Sequence, residues 1–186
     1  VKTGQSNGNV TATAAKNSTG GSAYAGGTSA YSENLNRSTS VISSLTSSGS
    51  INATGTNAGY AGGLFGYASL GNVSLIQSYT TGCVYGSSHA GGLIGNSSSY
   101  SMTISGCYTS GIITGGDAAI TGGLIGTGGS TVIKDSQVLG YSPTVSGIFI
   151  GNSGSNSSRI ENSQYNTNFE ISGTNIFGNN NGTSTS

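Results

Sequence analysis

Tryptophan is absent from this chain, and proline, methionine and histidine occur once each in 186 residues. Charge is almost as scarce: five basic and five acidic residues make up 5% of the chain and cancel. That balance leaves no electrostatic basis for binding nucleic acid or an anionic membrane. No apolar run approaches the roughly 20 residues that span a bilayer, so membrane insertion is not expected. With a single proline, nearly every backbone amide can enter a sheet ladder. The 34 glycines disfavour long helices, because each costs a helix about 1 kcal/mol relative to alanine. Strands bounded by Gly, Asn and Ser corners remain. The chain begins at Val1 without a recognisable leader, which fits a processed mature form or an excised piece.

What is present is a recurring phrase. Gly62-Gly63-Leu64-Phe65-Gly66 returns as Gly91-Gly92-Leu93-Ile94-Gly95 and as Gly122-Gly123-Leu124-Ile125-Gly126. Weaker copies stand at Gly147-Ile148-Phe149-Ile150-Gly151 and Asn175-Ile176-Phe177-Gly178, and the closing glycines are 29, 31, 25 and 27 residues apart. A second phrase keeps the same register. Its copies start at Ile42, Leu75, Ile104, Ile133 and Ile160, spaced 33, 29, 29 and 27 residues. Periods of this size define a solenoid, in which each coil buries its apolar face only by stacking on its neighbours.

The expected fold is therefore all-β, a β-solenoid of about five coils of 25–33 residues. Three apolar segments per repeat, such as Gly92–Gly95, Ser101–Ile104 and Gly111–Thr114, predict three strands and three corners per coil. Matched positions should stack in columns about 4.8 Å apart. Leu64, Leu93 and Leu124 form one such column, Phe65, Ile94, Ile125 and Ile150 a second, and Tyr79, Tyr108, Gln137 and Gln164 a third. The expected organisation is an N-terminal cap or docking segment over 1–24, a repeat domain over 25–178 and a C-terminal tail over 179–186. Val10 and Tyr24 are the apolar anchors expected to cap the first coil near Ile42 and Ile51, or to contact another subunit.

The alternation of Ala-Gly-Gly-Leu-Ile-Gly (90–95) with Ile-Ser-Gly-Cys-Tyr-Thr-Ser-Gly (104–111) resembles the GLUG-repeat family of bacterial surface proteins. The resemblance runs over about residues 60–178. Asn162-Ser163-Gln164-Tyr165-Asn166-Thr167 is similar to the family's common ending, without its usual Trp-Asp. It implies a right-handed parallel β-helix on secreted or cell-surface, often adhesin-like, proteins. The motif is structural and transfers no catalytic residue.

Few residues carry chemistry. Cys83 and Cys107 fall in adjacent coils and are a candidate disulfide pair; the alternative is two free thiols packed as small apolar residues. Sequons begin at Asn9, Asn17, Asn36, Asn52, Asn72, Asn96, Asn156 and Asn181, though a chain this rich in Asn, Ser and Thr generates many by chance. Asp135 and Glu161 are the best-placed carboxylate pair, one coil apart but shifted by one position. That shift puts them on opposite faces of a strand, with Glu161 beside Lys134 instead. His89 stands alone, without the ligand cluster of a metal site. Tyr60, Tyr67, Tyr79, Tyr85, Tyr100 and Tyr108 cluster in coils two and three and are either a carbohydrate platform, with Tyr79 and Tyr108 foremost, or a stacked ladder. No catalytic, cofactor or metal site is expected. The sequence reads as an extracellular or cell-surface structural or adhesive solenoid. Its expected partners are copies of itself, end to end, or a surface polysaccharide or glycoprotein. The alternative is a carbohydrate-active enzyme or polysaccharide-binding module.

Overall fold

The computed structural model describes residues 4–15, 21–33, 39–154, 157–166 and 182–185, the last segment by its backbone. The chain winds as a parallel β-solenoid with five short strands per coil, which stack into five sheets, here A to E in the order the chain visits them. The second coil shows the plan: Leu45–Ser47 in sheet A, Ile51–Gly55 in B, Ala58–Gly62 in C, Phe65–Ser69 in D and Asn72–Ile76 in E. All strand pairs are parallel and in register from coil to coil.

Five strands replace the three that the apolar segments suggested. Sheet A is the reason. From the third coil on, its strands are two residues long, Tyr79–Thr80, Tyr108–Thr109, Gln137–Val138 and Gln164–Tyr165. A pair of residues shows no alternation in sequence and becomes a strand only by pairing with its neighbours. The longer strands do alternate. In Ile51–Gly55, Ile51 and Ala53 are buried while Asn52 and Thr54 face outward.

The columns fall where the repeat places them. The Leu64 amide donates to the Leu93 carbonyl at 2.9 Å, Leu93 to Leu124 at 2.9 Å, and Leu124 to Phe149 at 3.0 Å. All three leucines are fully buried, and Phe149 closes the column. Phe65, Ile94, Ile125 and Ile150 pair in register, as do Tyr79, Tyr108, Gln137 and Gln164. Leu75, Ile104, Ile133 and Ile160 supply the buried column of sheet E.

The glycine phrase marks the corner between sheets C and D, which is pressed against the inner face of sheet A. A Cβ on Gly63 would fall on the Gly92 carbonyl oxygen and 2.5 Å from the Thr80 methyl. Gly92 meets the Gly123 carbonyl and the Thr109 methyl in the same way. Thr80 and Thr109 turn their hydroxyls onto this corner, donating to the Gly92 carbonyl at 2.7 Å and the Gly123 carbonyl at 3.0 Å. The turn from sheet E to sheet A is a column too. Ser44, Gln77, Gly106, Asp135 and Asn162 all have positive φ, from 43° to 62°. Short polar residues and glycine tolerate this left-handed conformation best.

Residues 4–14 and 22–24, expected to lie outside the repeat, are part of it. Gly4–Ser6, Val10–Ala14 and Ser22–Gly26 pair with Leu45–Ser47, Ile51–Gly55 and Ala58–Gly62. Val10 lies beside Ile51, so the segment covers the second coil by becoming the first. At the other end Gly182–Thr185 pairs with Ser158–Glu161 and extends sheet E, where a free tail was expected. The copy at Asn175–Gly178 lies outside the described residues.

Candidate functional site

The two thiols lie on opposite sides of the wall. Cys107 is buried in a column with Ser78, Ser136 and Ser163. Each amide in the column is received by the side chain one coil further on: Ser78 N by Cys107 Sγ (3.4 Å), Cys107 N by Ser136 Oγ (3.2 Å) and Ser136 N by Ser163 Oγ (3.1 Å). The thiol therefore substitutes for a serine hydroxyl, and burial pushes its pKa up. Cys83 is exposed, on an outward column between Ser50 and Ile112. Both cysteines are free, so the candidate disulfide does not form. One coil of separation brought them close in number, but their side chains point to opposite faces.

The carboxylates have different partners. Glu161 binds Lys134 at 3.3 Å and Arg159 at 2.5 Å. Asp135 accepts a hydrogen bond from Asn162 Nδ2 at 2.5 Å. Glu161 pairs with Lys134 as the spacing predicts, but Asp135 and Glu161 do not fall on opposite faces: Asp135 stands in the positive-φ turn, where alternation breaks, and both side chains face outward. These pairs are partly exposed and contribute at most about 1 kcal/mol each. Among the described residues, no three of His, Cys, Asp and Glu gather into a ligand cluster.

Four sequons fall on described residues. Asn9 and Asn72 are exposed, Asn52 and Asn96 half-buried. Asn9 Oδ1 accepts the Ser50 amide at 2.9 Å, and Asn52 Oδ1 accepts the Thr54 hydroxyl at 3.1 Å. Asn17, Asn36, Asn156 and Asn181 lie outside the described residues.

The aromatic rings form ladders. Tyr79 and Tyr108 stack with centroids 4.7 Å apart and planes 4° apart. Each ring gives one face to the other, which is the geometry of a stacked ladder. A second assembly spans sheets C and D and joins Tyr24, Tyr31 and His89 to Tyr60 and Tyr67 of the cluster read from sequence. Tyr24 stacks on Tyr60 at 5.1 Å, Tyr60 on His89 at 4.9 Å, and Tyr31 on Tyr67 at 5.0 Å. The two stacks meet edge to face across the corner, as in Tyr60–Tyr67 at 5.9 Å. The signal was available: Tyr24, Tyr60 and His89 precede the glycine phrase at one offset, and Tyr31 and Tyr67 follow it at another. His89 is held with its Nδ1 buried and without a hydrogen-bond partner, and burial lowers its pKa.

One surface groove stands apart from these ladders. It holds about 240 Å³ on the outer side of sheet B and is lined by Ser50, Asn52, Cys83, Tyr85, Ile112 and Thr114, with strand backbone beneath. Compared with protein-family models, curated proteins and solved structures, the chain matches none.

Proposed function

We propose that this chain is an extracellular structural and adhesive solenoid whose copies join end to end into a filament, with no catalytic role. The observation that carries this reading is the first coil. Its strands Gly4–Ser6, Val10–Ala14, Ser22–Gly26, Ser29–Glu33 and Thr39–Ser43 each pair on one side only among the described residues. Natural sheets protect such edges with lysine, proline or bulges. Here the five strands carry one charge, Glu33, and no proline. Sheets A and E also end in strands at the far side of the molecule, Gln164–Tyr165 and Gly182–Thr185. A second copy placed there would continue both sheets, and a head-to-tail contact of this kind generates an open filament. The surface setting rests on scarce charge, abundant Ser, Thr, Asn and Gly, and the likeness to GLUG repeats.

The edge supplies its own test. The Val10 amide donates to Ser50 in the second coil at 2.9 Å. Alternation along the strand turns the amide of Thr13 to the open side. Thr13→Pro removes an edge donor and no bond within the coil. Electron microscopy should show filaments of the parent protein and dispersed particles of Thr13→Pro at an unchanged melting temperature. Dispersed parent protein at high concentration would refute the reading.

A further inference from the structure

We infer that the groove on sheet B binds a neutral sugar unit of a polysaccharide or glycoprotein, with Tyr85 and Tyr141 as the rings it packs on. This names the ligand of the adhesive surface and rests on that part of the proposed function, but it does not depend on filament formation.

The argument starts from the ten tyrosines, all of them described. Seven have a ring partner: Tyr24, Tyr31, Tyr60 and Tyr67 in the corner assembly, Tyr79 with Tyr108, and Tyr165 against Phe149. Of the other three, Tyr100 stands at the turn between sheets D and E, whereas Tyr85 and Tyr141 have no ring partner and stand two coils apart on the side of sheet B. Tyr85 lines the groove. Tyr141 pairs with Ile112, the groove's next wall residue along the axis, and is 49% exposed. Ile112 is 47% exposed and gives the groove an apolar wall, and Leu139, two residues before Tyr141, is 45% exposed.

The chemistry of the lining selects the ligand. A pyranose presents apolar C–H faces and a rim of hydroxyls. Rings not stacked on other rings serve the first and short polar side chains the second. Ser50, Asn52 and Thr114 stand around Tyr85 as donors and acceptors. No lining residue is charged, which favours a neutral sugar over a uronic acid or phosphate. The volume is below the roughly 300–1,000 Å³ of pockets for drug-sized ligands and suits a single ring. Successive coils repeat about every 4.8 Å, so Tyr141 stands one coil beyond Ile112, within reach of an adjoining sugar in a chain.

Cys83 gives a direct readout, because it lines the groove and Cys107 is buried. The rate of Cys83 alkylation by iodoacetamide is measured with maltohexaose, cellohexaose, xylohexaose and laminarihexaose as probes, and titration calorimetry gives the affinity. At least one hexamer should slow alkylation several-fold. Tyr85→Ala and Tyr141→Ala should each weaken its binding about tenfold. Tyr85→Phe, which keeps the ring, should retain binding, and so should Tyr79→Ala. Thr13→Pro should also retain it, which separates a failure of this site from a failure of assembly. The inference is overturned if no hexamer protects Cys83, or if Tyr85→Ala binds as the parent does. It is also overturned if protection rises with protein concentration in the absence of sugar, which would mean that a second copy covers the groove.

Discussion

Gly92 and Thr109 show at the scale of single residues why the repeat phrase is conserved within this chain from coil to coil. The corner can reach sheet A only if nothing projects from Gly92, since a side chain there would meet the Gly123 carbonyl and the Thr109 methyl at once. Neither obstacle is the free end of a flexible chain, so relief requires the corner to move and the Thr109 hydrogen bond to break. Gly92→Ala should cost about 3 kcal/mol, the upper end for overpacking a core. Gly8 provides the comparison, because a Cβ there meets nothing within 4 Å. Gly8→Ala should be neutral or stabilise by about 0.4–1 kcal/mol through the unfolded chain. Urea denaturation of both variants measures the contrast; equal midpoints would mean that the corner is not packed as described.

At the scale of strands and ladders, His89 breaks a column of rings. Tyr24 and Tyr60 stack, His89 continues the stack, and Ile120 follows in register. Burial lowers the imidazole pKa. The unfolded chain, with a histidine pKa near 6.5, therefore binds a proton that the folded chain resists. Stability is complete above about pH 6.5 and is lost as pH falls toward the lowered folded value. His89→Tyr should extend the ladder and remove this contribution, so the melting temperatures of parent and variant should diverge as pH falls from 7.5 to 5. Parallel curves would contradict the buried imidazole.

The same ladders show what the sequence made legible. The leucine, tyrosine and glutamine columns could be read because the phrases hold register, and the Glu161–Lys134 pair followed from counting positions. Sheet A could not be read as a sheet because its strands are two residues long and are fixed by pairing alone. The first coil reads weakly because Thr28 and Ser29 stand where later coils carry the leucines and Phe65, Ile94 and Ile125, so its strands before residue 25 carried no phrase while the pairing is kept. That Tyr85 and Tyr141 stack on no other ring was invisible in sequence, because which rings stack depends on the coil above and below.

For the whole molecule, cohesion comes from registered backbone bonds, buried aliphatic columns and stacked rings, and hardly from charge. Five basic and five acidic residues cancel. Both ion pairs found among the described residues meet on Glu161 and are partly exposed. The first-coil edge offers one charge, Glu33, and the strand Gly182–Thr185 offers none. Screening over a Debye length of about 10 Å at 0.1 M salt therefore has little to act on within a coil or between copies. Sodium chloride between 20 and 500 mM should leave the melting temperature and the filament length distribution nearly unchanged. Ammonium sulfate should lengthen filaments, since excluded salts strengthen apolar burial. Light scattering during assembly follows both salts. Disassembly by sodium chloride would show that copies meet through charged groups rather than by continuing sheets A and E.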